Sequence, residues 1–385
     1  MKQTIKLFIL LTVLVSACTK EKDPISKIFY IKDDIIKNTT WSANNVYIIQ
    51  NEIDINSNAT LTIEAGVTVK FENGSGITVA YNGGFGAIKA NGTASKPILF
   101  TSNASVKNAG DWDAVWLYNG AGGSSFNYCT FEYGGGYSAN YGMIYMTSAQ
   151  ASFENCNFRH SESFGIALDD ASSFTIFENN NFSNTAKSPI QIYGKYVYTI
   201  GADNTYDPNT AILVKADRID LPGVFVWQKQ SVAYNFDGSF DIGSGAGTTI
   251  NIEPGTQIKM GSNAELLVAY SGGYGVLNAS GTAAEPVVIT SASPFPSAGD
   301  WYGIFLYDGT SNGTSFNYCN ISNGGGYSYG GNISLIDNVG ANVTISNSTI
   351  SNSDKYGIYK DNAAHNNPSI TNVTYTSNAL GDTNF

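Results

Sequence analysis

Charged side chains make up only 13% of the 385 residues, cysteine occurs four times and histidine twice. So little charge leaves too few polar faces for a set of long amphipathic helices. With His160 and His365 alone, and no His and Cys at ligand spacing, the chain carries none of the usual zinc motifs and no metal site is expected. A nucleophile elbow, a phosphate-cradling glycine loop and a dinucleotide fingerprint are absent as well. Basic residues number 20 against 31 acidic ones, giving a net charge of −11. Nucleic acid is therefore not an expected partner, because it requires a basic footprint. What is abundant is Gly (41), Tyr (24) and Phe (20), beside many Asn, Ser and Thr. Such a chain is too aromatic for disorder and too rich in turn formers for helices, so a rigid all-β body is expected.

Lys2 and Lys6 precede an apolar run from Leu7 to Val15, followed by Ser16, Ala17 and Cys18. Residues 1–17 read as a secretory leader, with an apolar part too short to span a bilayer stably. The string VSAC at 15–18 resembles the lipobox of bacterial lipoproteins, which implies that Cys18 is lipidated and becomes the mature N-terminus. The charged stretch that follows, TKEKDP, is similar to the export signals of surface lipoproteins of the Bacteroidota. The resemblance implies a protein anchored in the outer membrane and facing the cell surface, with residues 18–40 as tether and N-terminal cap. Cys129, Cys156 and Cys319 remain, each between apolar neighbours. They read as core thiols, with a Cys129–Cys156 bridge as the alternative.

The strongest internal signal is a duplication. LTIEAGVTVKF at 61–71 answers to INIEPGTQIKM at 250–260, and SFNYC and GGGYS recur at 125–129 with 315–319 and at 134–138 with 324–328. Residues 41–217 and 218–385 read as two tandem copies of one unit. Within the first copy, apolar triplets at Val115–Leu117, Ile144–Met146, Ile166–Leu168, Ile190–Ile192 and Ile212–Val214 recur every 22–29 residues. Short strands at that spacing, divided by Gly, Asn and Ser turns, predict a β-solenoid of roughly fourteen coils, about 65–70 Å long. LTIEAG with VKF, the following GT and PI, the GDW and the strand ending NYC resemble right-handed parallel β-helix proteins of the pectin-lyase-like superfamily. That architecture carries lyases, hydrolases, adhesins and inert stalks, so it implies a fold and not an activity.

Several repeated residues have structural explanations. Pro254-Gly255 specifies a type II turn, Glu64 and Glu253 are placed to accept backbone N–H bonds, and Trp112 and Trp301 are expected to fold onto the core. For catalysis the candidates are Asp169 and Asp170, with Arg159 and His160 ten residues earlier, and Lys215 in the string KADR. Hydrolases of this architecture use clustered aspartates, and a lyase needs a base plus, often, calcium to neutralise a uronate. None of these groups except Asp169 recurs in the second copy. The aromatic turns do recur: Tyr81 and Phe85 with Tyr270 and Tyr274, and Tyr137 and Tyr141 with Tyr327 and Tyr329. Tyrosines on Gly-rich turns offer flat faces and hydroxyls to sugar rings or to a protein surface, or else cover the turns as a structural stack. The leading expectation is a surface lipoprotein that binds glycan or another cell-surface component without catalysis. A polysaccharide lyase or glycoside hydrolase is the alternative, and a passive stalk the second.

Overall fold

Each short apolar triplet becomes one rung of a parallel sheet, because a strand with two inward side chains can bury them only against the coils above and below. The computed structural model describes residues 26–81, 83–310, 313–337, 343–362 and 367–385. Residues 1–17, Cys18 and His365 lie outside the described residues.

The first copy has three faces, visited by each coil in the order III, I, II. Face III stacks Thr39–Trp41, Ala59–Ile63, Gly86–Asn91, Ser124–Asn127, Gln150–Glu154 and Ser173–Glu178. Face I includes Thr68–Phe71, Ile98–Ser102, Cys129–Glu132, Asn157–Ser161 and Asn181–Thr185, paired in parallel. Face II runs through Ile53–Ile55, Ile77–Val79, Val115–Leu117, Gly142–Met146, Phe164–Leu168 and Ile190–Tyr193. Followed into the second copy, the face II line and its counterpart count thirteen rungs from Ile53–Ile55 to Gly381–Thr383. At about 4.8 Å per rung this is a rod of about 60 Å. It is one coil fewer than the spacing predicts, because the loops between Ile77 and Val115, and between Glu265 and Gly303, lengthen the coils that carry them.

Equivalent inward positions stack. Phe100, Phe131, Phe158, Phe182 and Tyr206 form a column with ring centroids 4.5, 5.2, 4.7 and 5.5 Å apart. Trp112 and Trp301 are fully buried, as their sequence context predicts. Cys129, Cys156, Asn180 and Asn204 occupy one inner corner in successive coils. The Cys156 amide donates to Asn180 Oδ1 at 3.0 Å, and the Asn180 amide to Asn204 Oδ1 at 3.0 Å. Cys129, Cys156 and Cys319 are buried free thiols, and no Cys129–Cys156 bridge forms. Burial raises the Cys319 thiol to about 12, so it stays protonated and inert.

The copies meet through two long strands, Ala211–Ile219 and Ala233–Ile242, with a register irregularity between Lys215 and Asp217. Leu213–Lys215 stacks on Gln191–Tyr193 of face II. Ala211–Lys215 is followed by Ala233–Asp237, and Tyr234–Phe236 of that strand by Ile258–Met260. Residues 258–260, however, are the counterpart of Val69–Phe71, which lie on face I. The sheet thus forks: the line that is face II in the first copy becomes face I in the second. A 3-10 helix at Gly194–Thr199 takes the place of a face III strand just before the fork.

Candidate functional site

The Ile77–Val79 rung of the first copy and its counterpart Glu265–Val268 in the second each run straight into an aromatic turn. Tyr81 and Phe85 are 55% and 68% exposed, and Tyr270 and Tyr274 are each 59% exposed. The backbone beneath them is tightly held. Gly86 N–H donates to Gly120 O at 3.2 Å, and Gly275 N–H to Gly309 O at 3.1 Å. A Cβ on Gly120 would lie 1.9 Å from Gly84 O, and one on Gly309 would lie 2.0 Å from Gly273 O. These glycines are therefore required by close approach of neighbouring turns, whereas the rings themselves are mostly in solvent. A buried carboxylate completes each turn: Asp241 accepts the Tyr270 and Ser271 amides at 3.0 and 2.9 Å, and Asp54 accepts the Tyr81 amide at 3.4 Å. Asp54 and Asp241 are absent from the sequence-based candidates, although Asp-Ile followed two residues later by Ser occurs at both places.

The turns border clefts. In the first copy a cleft of about 380 Å³ lies between Tyr81, Phe85 and Tyr118, floored by Gly83, Gly84 and Gly120, with Asn119, Thr147 and Ser148 at its side. Its counterpart, about 600 Å³, lies between Tyr270, Tyr274 and Tyr307, with Gly272, Gly273 and Gly309 below and Asp308 and Asp337 at its side. Tyr118 and Tyr307, which the sequence reading passes over, back the first ring of each turn: the Tyr81–Tyr118 and Tyr270–Tyr307 ring centroids are 5.0 and 4.9 Å apart, in tilted contact. Their signal is WLYNG at 116–120 repeated as FLYDG at 305–309. Burial, then the neighbouring Tyr81 and Glu52, push the Tyr118 phenol up to about 12, and burial raises Tyr307 likewise. Both phenols stay protonated and able to donate near neutral pH.

Tyr137, Tyr141, Tyr327 and Tyr329 sit differently. Tyr137 packs edge-on against Trp116 at 5.3 Å and against Tyr141 at 5.3 Å. Tyr327 lies over Phe305 at 5.9 Å and against Tyr329 at 5.1 Å. Trp116 and Phe305 point outward from face II, and Phe305 joins Leu267 and Ile336 in a small apolar cluster outside the main core. Tyr137, Tyr327 and Tyr329 thus cover outward-facing apolar side chains, Tyr141 packs between Tyr137 and Tyr145, and Tyr327 and Tyr329 line a cavity together with Tyr270 and Tyr307.

The titratable candidates are mostly engaged elsewhere. Asp169 accepts the Ser148 amide with both oxygens at 3.0 Å, the Ala171 amide at 3.1 Å and the Ser172 hydroxyl at 2.6 Å. Asp361 accepts the Asp337 amide at 2.9 Å in the matching place, so this aspartate caps a turn in both copies. Asp170, next to it, is exposed. His160 has φ of 56° and stacks on Tyr133 at 4.9 Å. Lys215 pairs with Asp237 at 2.5 Å.

Arg159 binds Glu132, with Nη2 2.6 Å and Nε 2.8 Å from Oε2, while Thr101 Oγ1 donates to Oε1 at 2.8 Å and Lys107 Nζ lies 3.4 Å from it. Burial alone would raise the Glu132 carboxyl, but Thr101, Arg159 and Lys107 outweigh it and hold the group below its ordinary value of 4.5. A carboxyl depressed in the folded state stabilises fully above the unfolded value and loses that contribution as pH falls through the folded one. The thermal midpoint of the wild type is expected to fall more steeply below about pH 4.5 than that of Glu132→Gln. Parallel melting curves for the two proteins from pH 7 to 3 would contradict this.

Glu52 and Asp113 form a second acidic feature of the first copy. Burial, then Asp113, Asp54 and Asp34, raise the Glu52 carboxyl, and burial raises Asp113. Their positions in the second copy hold Ser239 and Tyr302, so this pair is not duplicated. Among the described residues no group of three or more His, Cys, Asp or Glu is placed to hold a metal ion.

No curated protein and no solved structure matches the chain. A family model described as a pectate-lyase-like β-helix domain matches residues 33–155 and again 224–345, one match on each side of the fork. With more than half of its length matched and a parallel β-solenoid throughout the described residues, the chain belongs to the pectate-lyase-like β-helix family.

Proposed function

We propose that this protein is a lipid-anchored scaffold at the outer face of the outer membrane that binds neutral glycan through the two aromatic clefts, without chemistry on the glycan. The observation that carries the reading is the duplication of exposed rings on rigid glycine floors beside titratable groups that are either unduplicated or used as turn caps. Exposed aromatic faces backed by a second ring, a backbone floor without side chains, and flanking amide, hydroxyl and carboxylate acceptors suit stacking of a pyranose ring and bonding of its hydroxyls. A net charge of −11, with Asp308 and Asp337 at the second cleft, disfavours uronate polymers and so favours neutral ones. The VSAC string supports the anchor at Cys18.

The second reading, a glycoside hydrolase, has one observation in its favour: Glu52 and Asp113 are carboxyls held above their ordinary range near Tyr118. Affinity electrophoresis of the mature protein through gels containing mixed-linkage β-glucan, xyloglucan or galactomannan separates the readings. Retardation on at least one polymer is expected, with no new reducing ends after prolonged incubation. Turnover that disappears in Glu52→Gln would replace binding with hydrolysis, and free migration in all three gels would dismiss both.

A further inference from the structure

The fork between the copies determines how two such clefts can be used. The Tyr81–Phe85 turn follows the Ile77–Val79 rung, and the Tyr270–Tyr274 turn follows the Glu265–Val268 rung, seven rungs further along. At about 4.8 Å per rung this is an axial separation of about 34 Å. The two turns do not lie on one line. The face II line that carries the first cleft continues through Ala211–Lys215 and Ala233–Asp237 into Gln257–Met260 and Val287–Ser291, which is face I of the second copy. The strands there present Lys259, Thr290 and Ser322 outward, and the exposed rings on that line, Phe295, Tyr327 and Tyr329, belong to the turns that follow Val287–Ser291 and Cys319–Ser322 and not to the Tyr270–Tyr274 turn. Glu265–Val268 instead lies on the line begun by Asp217–Ile219, one face further round. The second cleft is thus displaced from the first by one of the three faces as well as by seven rungs.

A stiff polymer lying along the rod over the first cleft therefore runs over face I of the second copy and the turns that follow it, one face away from Tyr270 and Tyr274. Resting on the glycan-binding reading, we infer that the two clefts hold separate neutral polysaccharide strands, so that one rod bridges two strands instead of gripping one strand twice. The framework that sets this geometry is rigid: the fork is made of continuous strands, and the two halves share ladder hydrogen bonds along Ala211–Ile219 and Ala233–Ile242. Simultaneous engagement of one strand, the condition for avidity, is what the rotation prevents.

The test uses the mature protein and soluble mixed-linkage β-glucan, xyloglucan and galactomannan, with two single-cleft variants, Tyr81→Ala with Phe85→Ala and Tyr270→Ala with Tyr274→Ala. Thermal midpoints are measured first to establish that both variants are folded. Bridging predicts that light scattering of the wild type with a retained polymer rises to a maximum at intermediate protein-to-polymer ratio and falls in protein excess. Each single-cleft variant should still bind that polymer, within about twofold of the wild type per site, without raising the scattering. If the wild type binds tenfold or more tightly than either variant and scattering stays flat, one strand spans both clefts and the inference is overturned while the glycan reading stands. If the wild type binds none of the three polymers, the glycan reading itself fails and the bridging inference falls with it.

Discussion

A Phe131→Ala variant is expected to lose about 3–5 kcal/mol of stability. Phe131 is fully buried, its ring is stacked between Phe100 at 4.5 Å and Phe158 at 5.2 Å, and Phe126 meets it edge-on at 5.6 Å. Truncation removes the transfer free energy of the ring and leaves a void. The coils on either side are pinned by ladder pairing of Thr130–Glu132 with Asn157–Arg159, so they have little freedom to collapse into it. Because each coil is stabilised mainly by its two neighbours, the damage should centre on the first copy and lower its urea midpoint. Phe85→Ala, by contrast, truncates a ring that is mostly in solvent and should shift the midpoint by no more than about 0.5 kcal/mol equivalent. Urea titrations followed by circular dichroism compare the two. A loss below about 1 kcal/mol for Phe131→Ala would mean that the aromatic column does not carry the stack.

The coil period and the duplication are legible in the chain because both depend on local, repeated chemistry. The Val115–Leu117 and Ile144–Met146 triplets alternate inward and outward residues, and Gly, Asn and Ser mark the corners between them. The buried tryptophans and the turn-capping roles of Glu64 and Glu253 follow from the same local rules, and Glu64 and Glu253 do accept the Ala43 and Lys229 amides at 2.8 and 3.0 Å. The fork is not legible. The offset between the copies is the same whichever face of the second copy continues a given line, and only the pairing across the Lys215/Asp217 irregularity decides it. Asp54 and Asp241 escape for a related reason: they are 187 residues apart, whereas Glu64 and Glu253 are 189 apart, so a comparison anchored on the glutamates does not align them. The exposed rings of Tyr81, Phe85, Tyr270 and Tyr274 are legible as repeated aromatics on glycine turns. That Tyr137 and Tyr327 also cover Trp116 and Phe305 depends on which outward residues of face II are apolar, and that requires the register.

Two-cleft binding is tested most directly by calorimetric titration of neutral hexasaccharides, drawn from the polymer that retards the wild type, into the wild type and into a variant with Tyr81, Phe85, Tyr270 and Tyr274 all replaced by Ala. Each ring is worth about 0.5–1.5 kcal/mol beyond its buried area, so losing two per cleft should weaken each site by about 1–3 kcal/mol, roughly ten- to a hundredfold. The four rings are exposed and the turns beneath them are held by Asp54, Asp241, Gly120 and Gly309, so the variant should melt within a few degrees of the wild type. Two equivalents bound by the wild type, and affinity lowered roughly ten- to a hundredfold in the folded variant, is the predicted result. Unchanged stoichiometry and affinity in the folded variant would contradict it and place the ligand elsewhere on the rod.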